Sequence, residues 1–122
     1  MRICVCGGRD FLDYNAGFDF LDHVFPSTDG MELVCGMANG ADSIGYKWAK
    51  SKGNILIHKF PALWDVHGKA AGPIRNQQMV DFGFHTLVVF PGGRGTAHMT
   101  SISQKAGRNI IFYDAELIDD QY

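Results

Sequence analysis

Cysteine is scarce in this chain. Three residues, Cys4, Cys6 and Cys35, occur in 122. An odd count with no Cys-x-x-Cys spacing excludes a disulfide framework and a thiolate metal site. The expectation is buried thiols in a reducing cytosol. An excess of one charge is missing too. Eleven Lys and Arg stand against thirteen Asp and Glu, for a formal net charge of -2. A broad duplex-binding face would tilt that balance basic. Basic and aromatic residues do not interleave either, which argues against a single-strand nucleic-acid module. No apolar run is long enough to span a bilayer. The opening "MRICVCGGRD" carries one cation and a very short apolar stretch, unlike a signal peptide. These features predict a cytoplasmic protein with no membrane partner. The histidines His23, His58, His67, His85 and His98 are scattered without His-x-x-x-His spacing, so no metal is expected. No Gly-x-Ser-x-Gly elbow and no Gly-x-x-x-x-Gly-Lys-Ser/Thr loop occurs, which sets aside those hydrolases and nucleotidases.

Glycine, by contrast, is abundant. Fifteen residues are close to twice the average usage of about 7%. Many turns or close backbone approaches must account for them. The 46% hydrophobic and 20% charged content is that of a soluble globular protein. The length predicts one domain over residues 1–122, with an acidic tail at 113–122 that frays or forms one terminal turn.

Short apolar runs alternate with longer amphipathic ones. Strands are expected at Arg2–Cys6, Glu32–Gly36, Asn54–Phe60, the run "HTLVVF" and Asn109–Tyr113. Helices are expected at Phe18–Phe25, Gly40–Gly53, Pro73–Gly83 and Thr96–Ala106. Asp42 or Ser43 could cap the second, and Pro73 suits the first turn of the third. "ALWDVHGKAAG" is the least regular stretch. The runs "ICVC", "LVVF" and "IIF" lack polar alternation, as strands buried on both faces do. The order predicts an α/β fold: a Rossmann-like three-layer domain with a mostly parallel five-stranded sheet. Ligands of such sheets sit beyond the carboxyl ends of the strands.

The segments following the strands then share one edge. They are "GGRDF" (Gly7, Gly8, Arg9, Asp10, Phe11), "GMANGAD" with Gly36, Gly40 and Asp42, the stretch holding Trp64, Lys69, Gly72, Arg75 and Asn76, and "PGGRGT" with Gly92, Gly93, Arg94, Gly95 and Thr96. Arg75 and Arg94 fall at helix entrances, where a cation is locally unfavourable and a bound anion would compensate. Free N–H groups of the glycine loop would serve the same anion. Asp42 suits a ribose hydroxyl or a helix cap, and Asp10 suits a sugar or an ion pair with Arg9 or Arg75. Trp64 suits a stacked base or plain packing. His98, one turn beyond the glycine loop, suits acid–base work or solvent.

Together, "GGRDF", "GMANGADSIGYKWA", "W…HGKAAGPIRNQQM" and "FPGGRGTAHM" resemble the YspA-type branch of the SLOG superfamily, which includes the Lonely Guy phosphoribohydrolases and the core of DprA. The resemblance implies a Rossmann-like fold and a nucleotide or ADP-ribose-like ligand at the strand ends. It also implies a homo-oligomer, since relatives pair through helices flanking the site, and relatives in bacteria and phages. In the Lonely Guy enzymes an arginine and a glutamate support cleavage of an N-glycosidic bond. The arginine matches Arg75 loosely, and the glutamate position is Met99. Binding or sensing is thus the first expectation, and nucleotide hydrolysis with Arg75, Asp42 or Asp10 as catalytic candidates is the second. No cofactor is called for.

Overall fold

The structure, a computed structural model, describes residues 1–116. The sheet consists of β1 (Arg2–Cys6), β2 (Glu32–Cys35), β3 (Leu56–Lys59), β4 (Thr86–Val89) and β5 (Asn109–Phe112). Its order is β3-β2-β1-β4-β5, and every ladder is parallel. The helices are α1 (Tyr14–Val24), α2 (Ala41–Lys52), α3 (Trp64–His67), α4 (Ala71–Phe82) and α5 (Arg94–Lys105).

The unbroken apolar runs form strands because both faces of the sheet are covered. Alternation then sorts side chains into two cores. Ile3, Val5, Leu33, Cys35, Val88 and Phe90 join Phe20, Leu21, Ile44 and Trp48 on one face. Cys4, Cys6, Val34, Leu87 and Val89 join Met79, Val80 and Met99 on the other. Each fully buried large apolar side chain contributes roughly 1.5–3 kcal/mol. Helices α1 and α2 therefore cover the first face, and α4 and α5 the second. Gly45 lets α2 approach β1 closely, since a Cβ there would fall 2.8 Å from that of Val5.

Several boundaries differ from the sequence expectation. Helix α1 starts four residues earlier than Phe18 because the Asp13 carboxylate accepts from Ala16 N–H at 3.1 Å. This is an ordinary N-cap. Neither Asp42 nor Ser43 caps α2; the N-cap is Gly40, at φ +77°. Ser43 accepts from Tyr14 Oη instead, at 3.0 Å. The stretch after Pro61 is largely helical: α3 runs into a 3₁₀ turn at Gly68–Ala70 and then into α4. Arg75 is consequently the fifth residue of α4, beyond its first turn, so helix-dipole repulsion does not act on it as expected. Helix α5 begins at Arg94 rather than Thr96. The tail beyond residue 116 lies outside the described residues.

The chain builds β1 to β3 outward on one side, then returns to place β4 on the other side of β1. Strand order thus reverses between β1 and β4, which opens a crevice at the carboxyl ends of those two strands.

Candidate functional site

Backbones meet at that crevice. Gly8 N–H donates to the Pro91 carbonyl at 2.7 Å. A Cβ on Gly8 would lie 3.0 Å from Gly92 Cα, and one on Gly7 would lie 2.5 Å from Ala41 Cβ. A Cβ on Gly92 would collide with Thr96 Oγ1, and one on Gly40 with the Gly8 carbonyl. These four glycines are explained by packing within the chain. Gly93 and Gly95 are not. A Cβ on either meets nothing within 4 Å, and neither has a positive φ. Both line a cleft of about 1190 Å³ at the strand ends.

Cys6, Met79 and Met99 form the apolar floor of this cleft. Met99 is 1% exposed and belongs to the second core. Arg75 and Asn76 rise from α4, Arg94 from α5, and Asp42 from α2. Arg75 and Arg94 thus share one cavity.

Arg75 is held from two directions. Its Nη1 donates to the Gly36 carbonyl at 2.5 Å and its Nε to Asn76 Oδ1 at 3.0 Å. Three of the five guanidinium N–H groups remain. Gly36 makes room for this: a Cβ there would lie 2.6 Å from Arg75 Nη1 and 2.8 Å from Asp42 Oδ2. Arg94 is exposed and has no hydrogen-bond or ion-pair partner among the described residues. Its own N–H and those of Gly95 and Thr96 open α5, where no intrahelical acceptor exists for them. The α5 dipole adds partial positive charge at the same point.

Asp42 faces this cationic wall. It is only 7% exposed and accepts from Ala38 N–H at 3.2 Å through Oδ2. Burial pushes its pKa up to about 6, against the partial relief given by Arg75 and the Ala38 N–H. It makes no direct ion pair with Arg75. Among the described residues it is the one carboxylate lining the cleft. A buried acid left this weakly compensated is a feature of functional sites.

Beside Gly36, Met37 adopts φ +63°, the only non-glycine positive φ among the described residues. Met37 lines the same cleft. For an ordinary side chain this conformation costs roughly 1–2 kcal/mol. At the rim, Arg9 stands 5.8 Å from the centroid of the half-exposed Trp64 ring, within cation–π range.

Gly7, Gly8, Arg9, Gly36, Asp42, Trp64, Gly72, Arg75, Asn76, Gly93, Arg94, Gly95 and Thr96 all line the cleft. The other candidates do not. Phe11 stacks on Phe90, with centroids 5.0 Å apart, and packs with the first core. Gly40 and Gly92 lie in the structural contacts just described. Lys69 sits on the outer 3₁₀ turn. Asp10 is exposed, lies outside the cleft lining and forms no ion pair with Arg9 or Arg75. Met37, Ala38, Asn39, Cys6 and Met79 line the cleft as well, with no charge in the sequence to mark them. His98 is partly buried rather than solvent-facing, lines the cleft and contacts Asn76 at 3.2 Å through Nδ1.

The three thiols are free and buried. Burial raises Cys6 to about 12 and Cys35 to about 11, and lifts Cys4 well above its ordinary value. They are poor nucleophiles in the folded chain.

An all-parallel sheet, helices on both faces and a cleft at the switch point define a Rossmann-like domain. A family model described as "YspA, cpYpsA-related SLOG family" matches residues 1–67. The chain is 38% identical over 117 residues to "Gene 61 protein" of Mycobacterium phage D29, covering 90% of this chain and 94% of that protein. It belongs to the YspA, cpYpsA-related SLOG family. No helix among the described residues is long and apolar enough to cross a membrane.

Proposed function

We propose that this protein binds or senses a nucleotide or a nucleotide-derived, phosphorylated small molecule in the cleft at the carboxyl edge of the sheet. The observation that carries the reading is the pair Gly93 and Gly95. No packing contact and no positive φ accounts for them, yet both border the cleft beside Arg94 and the first N–H groups of α5. Space kept open against exposed amide donors suits an oxyanion. Arg94 and the remaining N–H groups of Arg75 supply charge for a phosphate. Asp42 supplies an acceptor for sugar hydroxyls, as an acid does in dinucleotide sites. Trp64 with Arg9 offers a surface on which a base can stack.

The direct test is to denature natively purified protein and identify released small molecules by mass spectrometry. The expected species carries a phosphate and a ribose. Absence of any such species, with no thermal shift from AMP, NAD or ADP-ribose, contradicts the reading.

A second reading, hydrolysis of the N-glycosidic bond, rests on Asp42. Such cleavage passes through an oxocarbenium-like transition state that a carboxylate stabilises, and Met99 cannot supply one. Asp42 with a pKa of about 6 is the acid within the cleft. Release of free base from AMP that is lost in Asp42→Asn supports this reading; tight binding without turnover supports the first.

We further propose a cytoplasmic, self-associating protein. Sedimentation analysis tests the self-association; a monomer at all concentrations contradicts it.

A further inference from the structure

Asn76 is 5% exposed and sits between two groups of opposite hydrogen-bonding character. On one side Arg75 Nε lies 3.0 Å from Oδ1. A guanidinium nitrogen only donates, so the amide oxygen must face Arg75. The amide nitrogen then faces the other way, 3.2 Å from His98 Nδ1 and 3.4 Å from the Gly95 carbonyl. That nitrogen only donates. His98 Nδ1 must therefore be the bare, accepting nitrogen, and the ring proton resides on Nε2.

We infer that Asn76 is a positioning residue, which holds His98 in the Nε2–H tautomer so that His98 donates a hydrogen bond to an acceptor oxygen of the bound phosphorylated molecule. His98 lines the cleft. With Nδ1 occupied by Asn76, Nε2 is its remaining polar atom. His98 lies four residues after Arg94, hence on the same helix face and one turn further along α5. An Nε2–H there meets an oxygen adjoining the anion held at the helix start. The polarity runs in one direction: Arg75 donates to Asn76, Asn76 to His98, and His98 to the ligand. The relay also distinguishes asparagine from aspartate at this position. Aspartate would offer oxygen to both neighbours and demand a proton on Nδ1.

The inference rests on the nucleotide reading, but its first test does not. Ring-nitrogen NMR of the ligand-free protein in mildly alkaline buffer reports which nitrogen of His98 is protonated. The expected result is Nε2–H in the native protein, Nδ1–H in Asn76→Asp and a mixture in Asn76→Ala. A native Nδ1–H form overturns the assignment. AMP is then titrated into the same sample. The Nε2 resonance is expected to move, and His98→Phe, which keeps the ring but no N–H, is expected to weaken AMP binding about tenfold. If AMP binds native protein while the His98 resonance and the His98→Phe affinity stay unchanged, the contact is refuted. If AMP, NAD and ADP-ribose all fail to bind native protein, the nucleotide reading fails and the ligand role of His98 fails with it. The tautomer result then stands apart as a structural property.

Discussion

Gly8 and Gly92 stand back to back across the crevice, so close that a methyl group on Gly8 would lie 3.0 Å from the Gly92 Cα. This contact joins the loop after β1 to the loop after β4. It fixes the inner wall of the cleft and leaves Gly93 and Gly95 free at its edge. Two kinds of glycine therefore sit within four residues of each other.

Their substitutions should behave oppositely. Gly92→Ala forces a methyl onto Thr96 and should lower stability by about 1–3 kcal/mol. Gly95→Ala meets open space in the first turn of α5 and should leave stability unchanged or raise it by up to about 1 kcal/mol, the helix-interior value, while weakening AMP binding. Urea denaturation with and without AMP measures both. Equal destabilisation by the two would contradict the distinction.

Asp42 should make ligand-free stability fall as pH rises. Its folded pKa of about 6 lies above its ordinary 3.8, so the folded state binds the proton more tightly. The resulting contribution is complete below about pH 4 and is lost as pH rises to 6 and beyond. A gap of that size corresponds to about 3 kcal/mol. Asp42→Asn can still accept from Ala38 and should remove this slope, leaving a more stable protein at pH 7. Thermal melts across pH 4 to 8 would show it; parallel curves for the two proteins would refute it.

At Met37 the backbone, not the side chain, should decide tolerance. Met37→Val places a β-branched residue at φ +63° and should cost more than about 1 kcal/mol. Met37→Gly should be neutral or mildly stabilising, since relief of strain offsets the freedom gained by the unfolded chain. Denaturant midpoints compare them, and a valine variant as stable as the glycine variant would contradict the strain.

Much of this architecture is legible in the residues because parallel strands covered on both faces need uninterrupted apolar runs. "ICVC", "LVVF" and "IIF" leave few alternatives. Helix starts are harder to read. Tyr14 to Gly17 lack an apolar period, and only the Asp13 cap marks them. The stretch "WDVHGKA" is polar and short, with a glycine inside it, so its helical turns leave no periodic trace. Strand order places loops on an edge, but it does not say which way a loop side chain faces. Nor does it say which residues near the edge line the cleft: Arg9, Arg75 and Arg94 do, and Lys69 and Asp10 do not. The place of His98 one turn past the glycine loop is legible in the sequence. Its link to Asn76 depends on how α4 lies beside α5, which no local pattern encodes.

Isothermal titration of AMP into native protein and into Arg94→Ala tests the central claim most directly. Arg94 is exposed and has no hydrogen-bond or ion-pair partner among the described residues. The account predicts affinity at least about tenfold weaker in the variant, the value of a charge-assisted hydrogen bond, with a ligand-free melting temperature that does not fall, since a cation at a helix start is locally unfavourable. Equal affinity in both proteins would contradict it.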